Sequence, residues 1–299
     1  MRPQLRLTGR QNYFAILRHF LLDTTLGSKN ILLRTAVDKQ NIRLILAYDG
    51  SRYHGWQRQK NGITIQEVVE EKLAVMCKTP VRLISSGRTD AGVHALNQVC
   101  NFTAPSNLDP DAIEKGLNAL LPDDIHVKKA ERVPNEFHAR YSAISKTYEY
   151  RILNGKAPDV FLRHYLWHIR SPLDKNEMEK CLSILKGRHD FTAFKSSGSS
   201  NTNPVRSIYR AEIQCPKKND ILRISIEADG FLRHMVRNIV GTVVEAGHGK
   251  MDMNGFREVL ESKNRQSAGI KAPAQGLFLV SVHYSDLSSF RESSTIWCT

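Results

Sequence analysis

The sequence predicts an α+β protein built from two halves of one type, with mainly antiparallel sheets flanking a central active-site cleft. Two observations carry this. Helix and strand patterns follow the order β-α-β-β-α-β from residue 41 to about 133, and the same order recurs from 144 to about 284. Paired halves of this kind leave a cleft between them, a common place for ligands.

The first pass opens on Ile42-Arg43-Leu44-Ile45-Leu46-Ala47-Tyr48, a strand-like run. Thr64-Ile65-Gln66-Glu67 is a capping box that starts an amphipathic helix ending near Cys77. Strands near 81–85 and 97–103 follow. Asp109-Pro110 places an N-cap before a proline at the first helical position, for a helix to about Leu121. A strand near 125–133 closes the half. The second pass begins with a strand from Ile144 to Leu153. Asp174 caps a helix with Met178, Cys181, Leu182 and Leu185 on one face, stopped at Gly187. Strands near 206–215 and 221–228 come next, then a helix from about Phe231 to Ala246 and a shorter one capped by Asp252. A strand over Leu277–Tyr284 ends the pass. Each pass has the ferredoxin-like (RRM-like) order. The expected organisation is therefore an N-terminal extension over 1–40, an α+β half over 41–143, a second over 144–285, and a polar tail over 286–299.

Composition narrows the function. The 299 residues carry 43 Lys plus Arg against 30 Asp plus Glu, a net +13. That excess suits a polyanionic partner, nucleic acid first, although a basic protein with no such partner carries the same charge. No apolar run approaches the roughly 18 residues of a membrane span. The five cysteines are scattered, with no Cys-x-x-Cys pair, which fits a reducing compartment and excludes a zinc ribbon. Cys77, Cys100 and Cys181 sit in apolar patterns and read as small core residues. Residues 1–40 hold seven Lys/Arg and two Asp, so the rest of the chain still carries a positive excess. Being Arg-rich and poor in acids, they fit an organellar transit peptide, an upstream start or an added extension.

The segment Gly87-Arg88-Thr89-Asp90-Ala91-Gly92-Val93-His94 concentrates chemistry. It places a carboxylate, an arginine and a histidine in a glycine-bounded loop between strands, where functional side chains are often found. A hairpin turn in which Asp90 caps a backbone N–H is the plainer alternative. The block Ser86 to Ala95 resembles the signature of the tRNA pseudouridine synthase A (TruA) family. Four further blocks resemble that family in order: Tyr48 to Gln59, Phe137-His138-Ala139-Arg140 with Lys146-Thr147-Tyr148-Glu149-Tyr150, Phe231 to Gly241, and Ala272 to Leu277. The likeness covers roughly residues 41–285.

The resemblance implies an isomerase that converts uridine to pseudouridine in the tRNA anticodon arm, around positions 38 to 40. It implies a homodimer in the cytoplasm, tRNA as partner and no cofactor, because the isomerisation consumes nothing. It assigns Asp90 to the ribose, as a nucleophile at C1′ or as a base that gives a glycal. Arg237 would pair with Asp90 and keep it ionised. Read from the helix alone, Arg237 borders a buried face of Val236, Ile239, Val240 and Val243 together with Arg233, and a surface arginine with a packed stem is the better reading; the motif favours the ion pair. Tyr148 would stack on the target uracil, while Tyr150 reads as core. Arg88 would help expel the base from its stem, or contact a phosphate. His94 would touch RNA or hydrogen-bond within the loop. Arg52, Arg58, Lys60, Arg140, Lys146, Lys195 and Arg206 form a basic set suited to phosphates or to plain solvent. No metal site is expected.

Two other classes were open. An RNA chaperone would share the charge and the fold order, but pure binding gains nothing from a carboxylate among phosphates. A glycosidase would need two carboxylates, and Asp90 has no evident partner of that kind. Phosphate-loop, dinucleotide and zinc-deaminase motifs are absent from the sequence.

Overall fold

In the computed structural model, residues 39–105, 107–198, 203–216 and 220–285 are described. The readings made for 1–38 and for 286–299 lie outside them. The first half consists of β1 (Lys39–Tyr48), α1 (Ile65–Cys77), β2 (Ile84–Ser85), β3 (His94–Pro105), α2 (Pro110–Leu120) and β4 (Ile125–Val133). The second consists of β5 (Ala143–Asn154), β6 (Trp167–Ile169), α3 (Lys175–Ile184), β7 (Gly187–Asp190), β8 (Val205–Gln214), β9 (Ile221–Ala228), α4 (Met235–Gly247), α5 (Met253–Ser262) and β10 (Leu277–Tyr284).

The expected caps form in part. Thr64 Oγ1 accepts from Glu67 N, and Asp174 accepts from Asn176 N and Glu177 N. Asp252 accepts from Gly255 N. Asp109 makes no side-chain cap, so Pro110 with its fixed φ starts α2 unaided. Three expectations are corrected. Only Ile84–Ser85 of the 81–85 run pairs as strand, and β3 begins at His94, ahead of 97. The pairs β5·β6 and β7·β8 add two short strands that propensity did not mark. The helix expected from Phe231 begins only at Met235, because His234 takes φ 61°, outside the right-handed helical region.

All ten strands join one sheet in the order β4-β1-β3-β10-β5-β9-β8-β7, with β2 on β3 and β6 on β5. Most pairs are antiparallel. In the middle of the sheet β3 and β10 pair in parallel, through Phe278↔His94 and Leu279↔Ala95. Alternation puts successive side chains on opposite faces. On β1, Ile42, Leu44 and Leu46 enter the main core, while Ile45 packs against Val99, Val133, Phe137 and Ala139 in a second, smaller cluster. The main core also takes the apolar stripes of α1 to α5, with Cys77, Cys100 and Cys181 buried in it. Phe191 and Phe194 are fully buried there too.

Parallel pairing at the middle of the sheet has a consequence for the site. Strands that run the same way begin at the same edge. The loop leading into β3 (86–93) and the segment leading into β10 (270–276) therefore come together.

Candidate active site

The loop before β3 is held by buried polar groups that all find partners. Ser86 N donates to Val99 O at 2.8 Å, and Ser86 Oγ to Gln98 Oε1 at 2.7 Å. Gln98 Nε2 donates to Gly87 O at 2.9 Å. Tyr48 Oη and Thr89 Oγ1 share a hydrogen bond of 2.8 Å, and Trp56 N donates to Thr89 O at 3.0 Å. Satisfied buried networks of this kind fix a single conformation. The 49–56 segment reaches Thr89 because Gly55 has φ 86° and no Cβ; a Cβ there would lie 2.6 Å from Thr89 O. The block from Tyr48 to Gln59 thus serves the loop as a buttress.

His94 belongs to this framework. It is 1% exposed and stacks on Phe278 with ring centroids 4.7 Å apart. Gly50 N donates to its Nδ1, and its Nε2 faces the carbonyls of His164 and Gln275. Burial lowers its proton affinity. Of the two readings of His94, the structure has internal hydrogen bonding.

Asp90 and Arg237, 147 positions apart, meet here: Arg237 Nη1 donates to Asp90 Oδ2 at 3.1 Å. Arg237 Nε donates to Ala272 O at 2.8 Å, and Ala272 N returns a bond to Arg237 O at 3.1 Å. The guanidinium bridges α4, the segment before β10 and the loop before β3. The expectation of an arginine at the rim of a helix face is corrected: α4 is buried almost all round, and Arg237 is 8% exposed. Arg233 is not its helical neighbour. It precedes the helix, and its Nη1 donates to Ser197 O. The Asp90 side chain is 32% exposed, and only its Oδ2 is engaged by described residues. That leaves Oδ1 for a reacting partner.

Tyr148, on β5, is 8% exposed, with its ring edge-on to Phe231 at 5.0 Å. Burial, and after it the charges of Tyr48 and Asp90, push its phenol far above the ordinary range, so the ring stays neutral. Tyr150 is core: it is fully buried and donates to Pro273 O at 2.7 Å. Arg88 is exposed, with no hydrogen-bond or ion-pair partner among the described residues. Lys146 is half-buried and donates to Ser86 O. Burial first, then Arg140 and Arg206, bring its ammonium down to about 8. Arg52 is engaged by Asp124, and Arg58 by Glu67 and Glu70. One neighbour was missed: His234 Nε2 lies 3.5 Å from Asp90 Oδ2. The Phe231–Gly241 block contains it, but a histidine's left-handed backbone leaves no mark in a sequence. Among the described residues, no cluster of three or more His, Cys, Asp or Glu side chains is placed to hold a metal ion.

A mixed α/β sheet protein with one carboxylate fixed by a buried arginine, a neutral aromatic ring nearby and an exposed arginine on the same loop fits an enzyme for an anionic substrate. Its sequence supplies the particular kind. The profile described as tRNA pseudouridine synthase matches residues 44–142 and 182–285. The chain belongs to the tRNA pseudouridine synthase family. It is 47% identical over 245 residues to the tRNA pseudouridine synthase A of Thermoanaerobacter sp. strain X514, covering 82% of this chain and 100% of the relative. The protein of the same name from Acetivibrio thermocellus is 44% identical over 245 residues, with the same coverage. The tRNA pseudouridine synthase A 1 of Protochlamydia amoebophila is 42% identical over 248 residues, 82% of this chain and 96% of the relative. Among solved structures, a chain of a Cbf5-Nop10-Gar1 complex superposes with a TM-score of 0.33 at 11% identity, over 85% of this chain and 57% of that one. At that score the likeness carries no argument.

Proposed function

We propose that this chain isomerises uridine to pseudouridine in the anticodon arm of tRNA, with Asp90 acting at the ribose. The observation that carries the proposal is the Asp90–Arg237 pair, in which Oδ2 is held at 3.1 Å and Oδ1 is left open. In the reaction the bond from C1′ to N1 breaks, the uracil turns, C1′ joins C5, and the C5 proton leaves. Nothing is consumed, so no cofactor takes part. Asp90 serves either as the nucleophile at C1′ or as the base that takes a ribose proton. A fixed guanidinium favours the ionised carboxylate that both routes need. Tyr148 stacks on the turned uracil, and Arg88, free at the loop, takes the place of the displaced base or holds a phosphate.

The neighbour orders β4-β1-β3-β2 and β10-β5-β9-β8 support reading the halves as two ferredoxin-like units divided near residue 143. The family likeness supports a homodimer. Bacterial relatives support a cytoplasmic setting, and no described helix is long and apolar enough to cross a membrane.

The test is tritium release from [5-³H]uridine-labelled tRNA, with the wild type beside Asp90→Asn. Release by the wild type alone, with tRNA binding kept by both, is the expected result. Equal release from both proteins sinks the assignment of Asp90. Tight, salt-sensitive binding with no release from any tRNA points instead to an RNA-binding role.

A further inference from the structure

His234 occupies the N-cap of α4 with φ 61° and ψ 7°. That region costs a residue bearing a Cβ roughly 1–2 kcal/mol. N-caps are normally extended, and their side chains accept from the first helical turn. His234 does neither, for its side chain caps nothing. Its Nδ1 is buried, with no hydrogen-bond partner among the described residues. What the ring does meet is Asp90: Nε2 stands 3.5 Å from Oδ2, the oxygen that Arg237 holds. Strained backbone clusters at functional sites, and a buried polar atom without a partner calls for an explanation.

We propose that His234 is a positioning residue for the Asp90 carboxylate: its neutral imidazole, protonated at Nε2, donates to Oδ2 beside Arg237 and so presents Oδ1 to the ribose. The tautomer follows from the surroundings. A proton on Nδ1 would be buried without an acceptor, whereas one on Nε2 meets a carboxylate. The charged groups around the ring are Asp90 from the loop before β3, Arg233 and Arg237 from its own stretch, and Lys271 from the segment before β10. Burial and the three cations outweigh Asp90 and hold the ring neutral. The distance is long for a hydrogen bond, as catalytic contacts often are before substrate closes them. Two donors on one oxygen fix the carboxylate's rotation, which a single donor does not.

This rests on Asp90 as the group at the ribose, and the experiment separates the two claims. His234→Gly, His234→Gln, His234→Asn and Asp90→Asn are compared in the full-length chain by single-turnover tritium release, tRNA filter binding and melting. Glycine keeps the left-handed backbone without strain and removes the ring. Glutamine carries an amide nitrogen to about the place of Nε2. Asparagine suits the backbone but stops short of Asp90. The expected result is a glycine variant that binds tRNA within about threefold of wild type yet turns over at least thirtyfold more slowly. Glutamine restores most of the rate and asparagine does not. A glycine variant at wild-type rate beside an inactive Asp90→Asn overturns the role of His234 and leaves Asp90 standing. Equal rates for glutamine and asparagine also overturn it, whatever the melting points. An active Asp90→Asn overturns both claims.

Discussion

Gly241→Ala carries a backbone contact to the reaction. Gly241 lies on α4, one turn beyond Arg237, and faces the Ile270–Ala272 segment. A Cβ at Gly241 would lie 2.8 Å from the Ile270 carbonyl carbon, nearer still to its oxygen, and 3.3 Å from Ala272 N, where ordinary contact begins at 3.4 Å. Both obstacles are backbone, so no rotamer relieves them. The Ile270 carbonyl must retreat by more than an ångström, yet Gly269 N is tied to Thr242 Oγ1 at 2.9 Å and Ala272 N to Arg237 O at 3.1 Å. The bond from Arg237 Nε to Ala272 O, 2.8 Å long, is then stretched or lost, and the guanidinium that holds Asp90 swings with it. Overpacking of this kind costs about 1–3 kcal/mol, or roughly 2–5 °C in melting temperature at this size. Misplacing a catalytic group by about 1 Å costs on the order of a hundredfold in rate. Tritium release well below the melting range, alongside a circular-dichroism melt, reads both. A variant that melts lower but reacts at the wild-type rate refutes the route from Gly241 through Ala272 to Arg237. One that is unchanged in both refutes the close approach itself.

Other outcomes follow from the same geometry. Arg237→Met keeps the packed stem and removes the charge. With Asp90 one-third exposed, the loss is set below that of a fully buried pair, at about 2–3 kcal/mol, or roughly thirty- to 150-fold in kcat, with tRNA binding nearly unchanged in a filter assay. If the ring stacks on uracil as proposed, Tyr148→Phe should react within about threefold of wild type; Tyr148→Leu should lose roughly five- to 150-fold in kcat/KM, from stacking worth about 1–3 kcal/mol. Lys146 titrates near 8, so it is charged at pH 7 and largely neutral at pH 9. The tRNA affinity should fall by roughly fivefold over that interval, about 1 kcal/mol for one partly exposed charge pair, and Lys146→Arg should flatten the fall. Stability runs the other way. The unfolded chain keeps this proton up to the ordinary 10.5, so Lys146 makes the folded state less stable below about 8, and that penalty fades as pH rises toward 10.5. Urea midpoints at pH 8 and 10, compared between wild type and Lys146→Met, isolate this effect.

The sequence reveals the site more readily at some residues than at others. Asp90 and its loop are legible because glycines, carboxylate and flanking strands lie within one short stretch. Tyr148 and Tyr150 are separable only through the family likeness, since strand alternation puts both on one face; the structure distinguishes them by the bond from Tyr150 to Pro273. The short strands β6 and β7 were not legible, because they owe their form to pairing with β5 and β8 rather than to their own residues. The start of α4 was misjudged for a different reason. The apolar period runs through Phe231 and Leu232 without a break, and only a backbone angle at His234 ends it.

That break places the charges around Asp90. Were the helix to run from Phe231, Arg233 and Arg237 would stand one above the other on a single face, and two guanidinium groups would compete for Asp90. With His234 in the left-handed region, Arg233 turns away to Ser197 O, Arg237 alone reaches the carboxylate, and a neutral ring fills the space between. One full positive charge against one negative leaves the pair near neutrality. A second would bind the carboxylate more tightly and weaken it as a nucleophile or base. On the proposed function, Arg88 on the loop itself and Lys146 reaching Ser86 O from β5 supply positive charge for tRNA. Binding and chemistry are thereby assigned to different cations. Salt should therefore weaken tRNA binding steeply while leaving the single-turnover rate at saturating enzyme nearly flat. A single-turnover rate that falls with salt as steeply as binding would show that Arg88 or Lys146 also acts on the carboxylate.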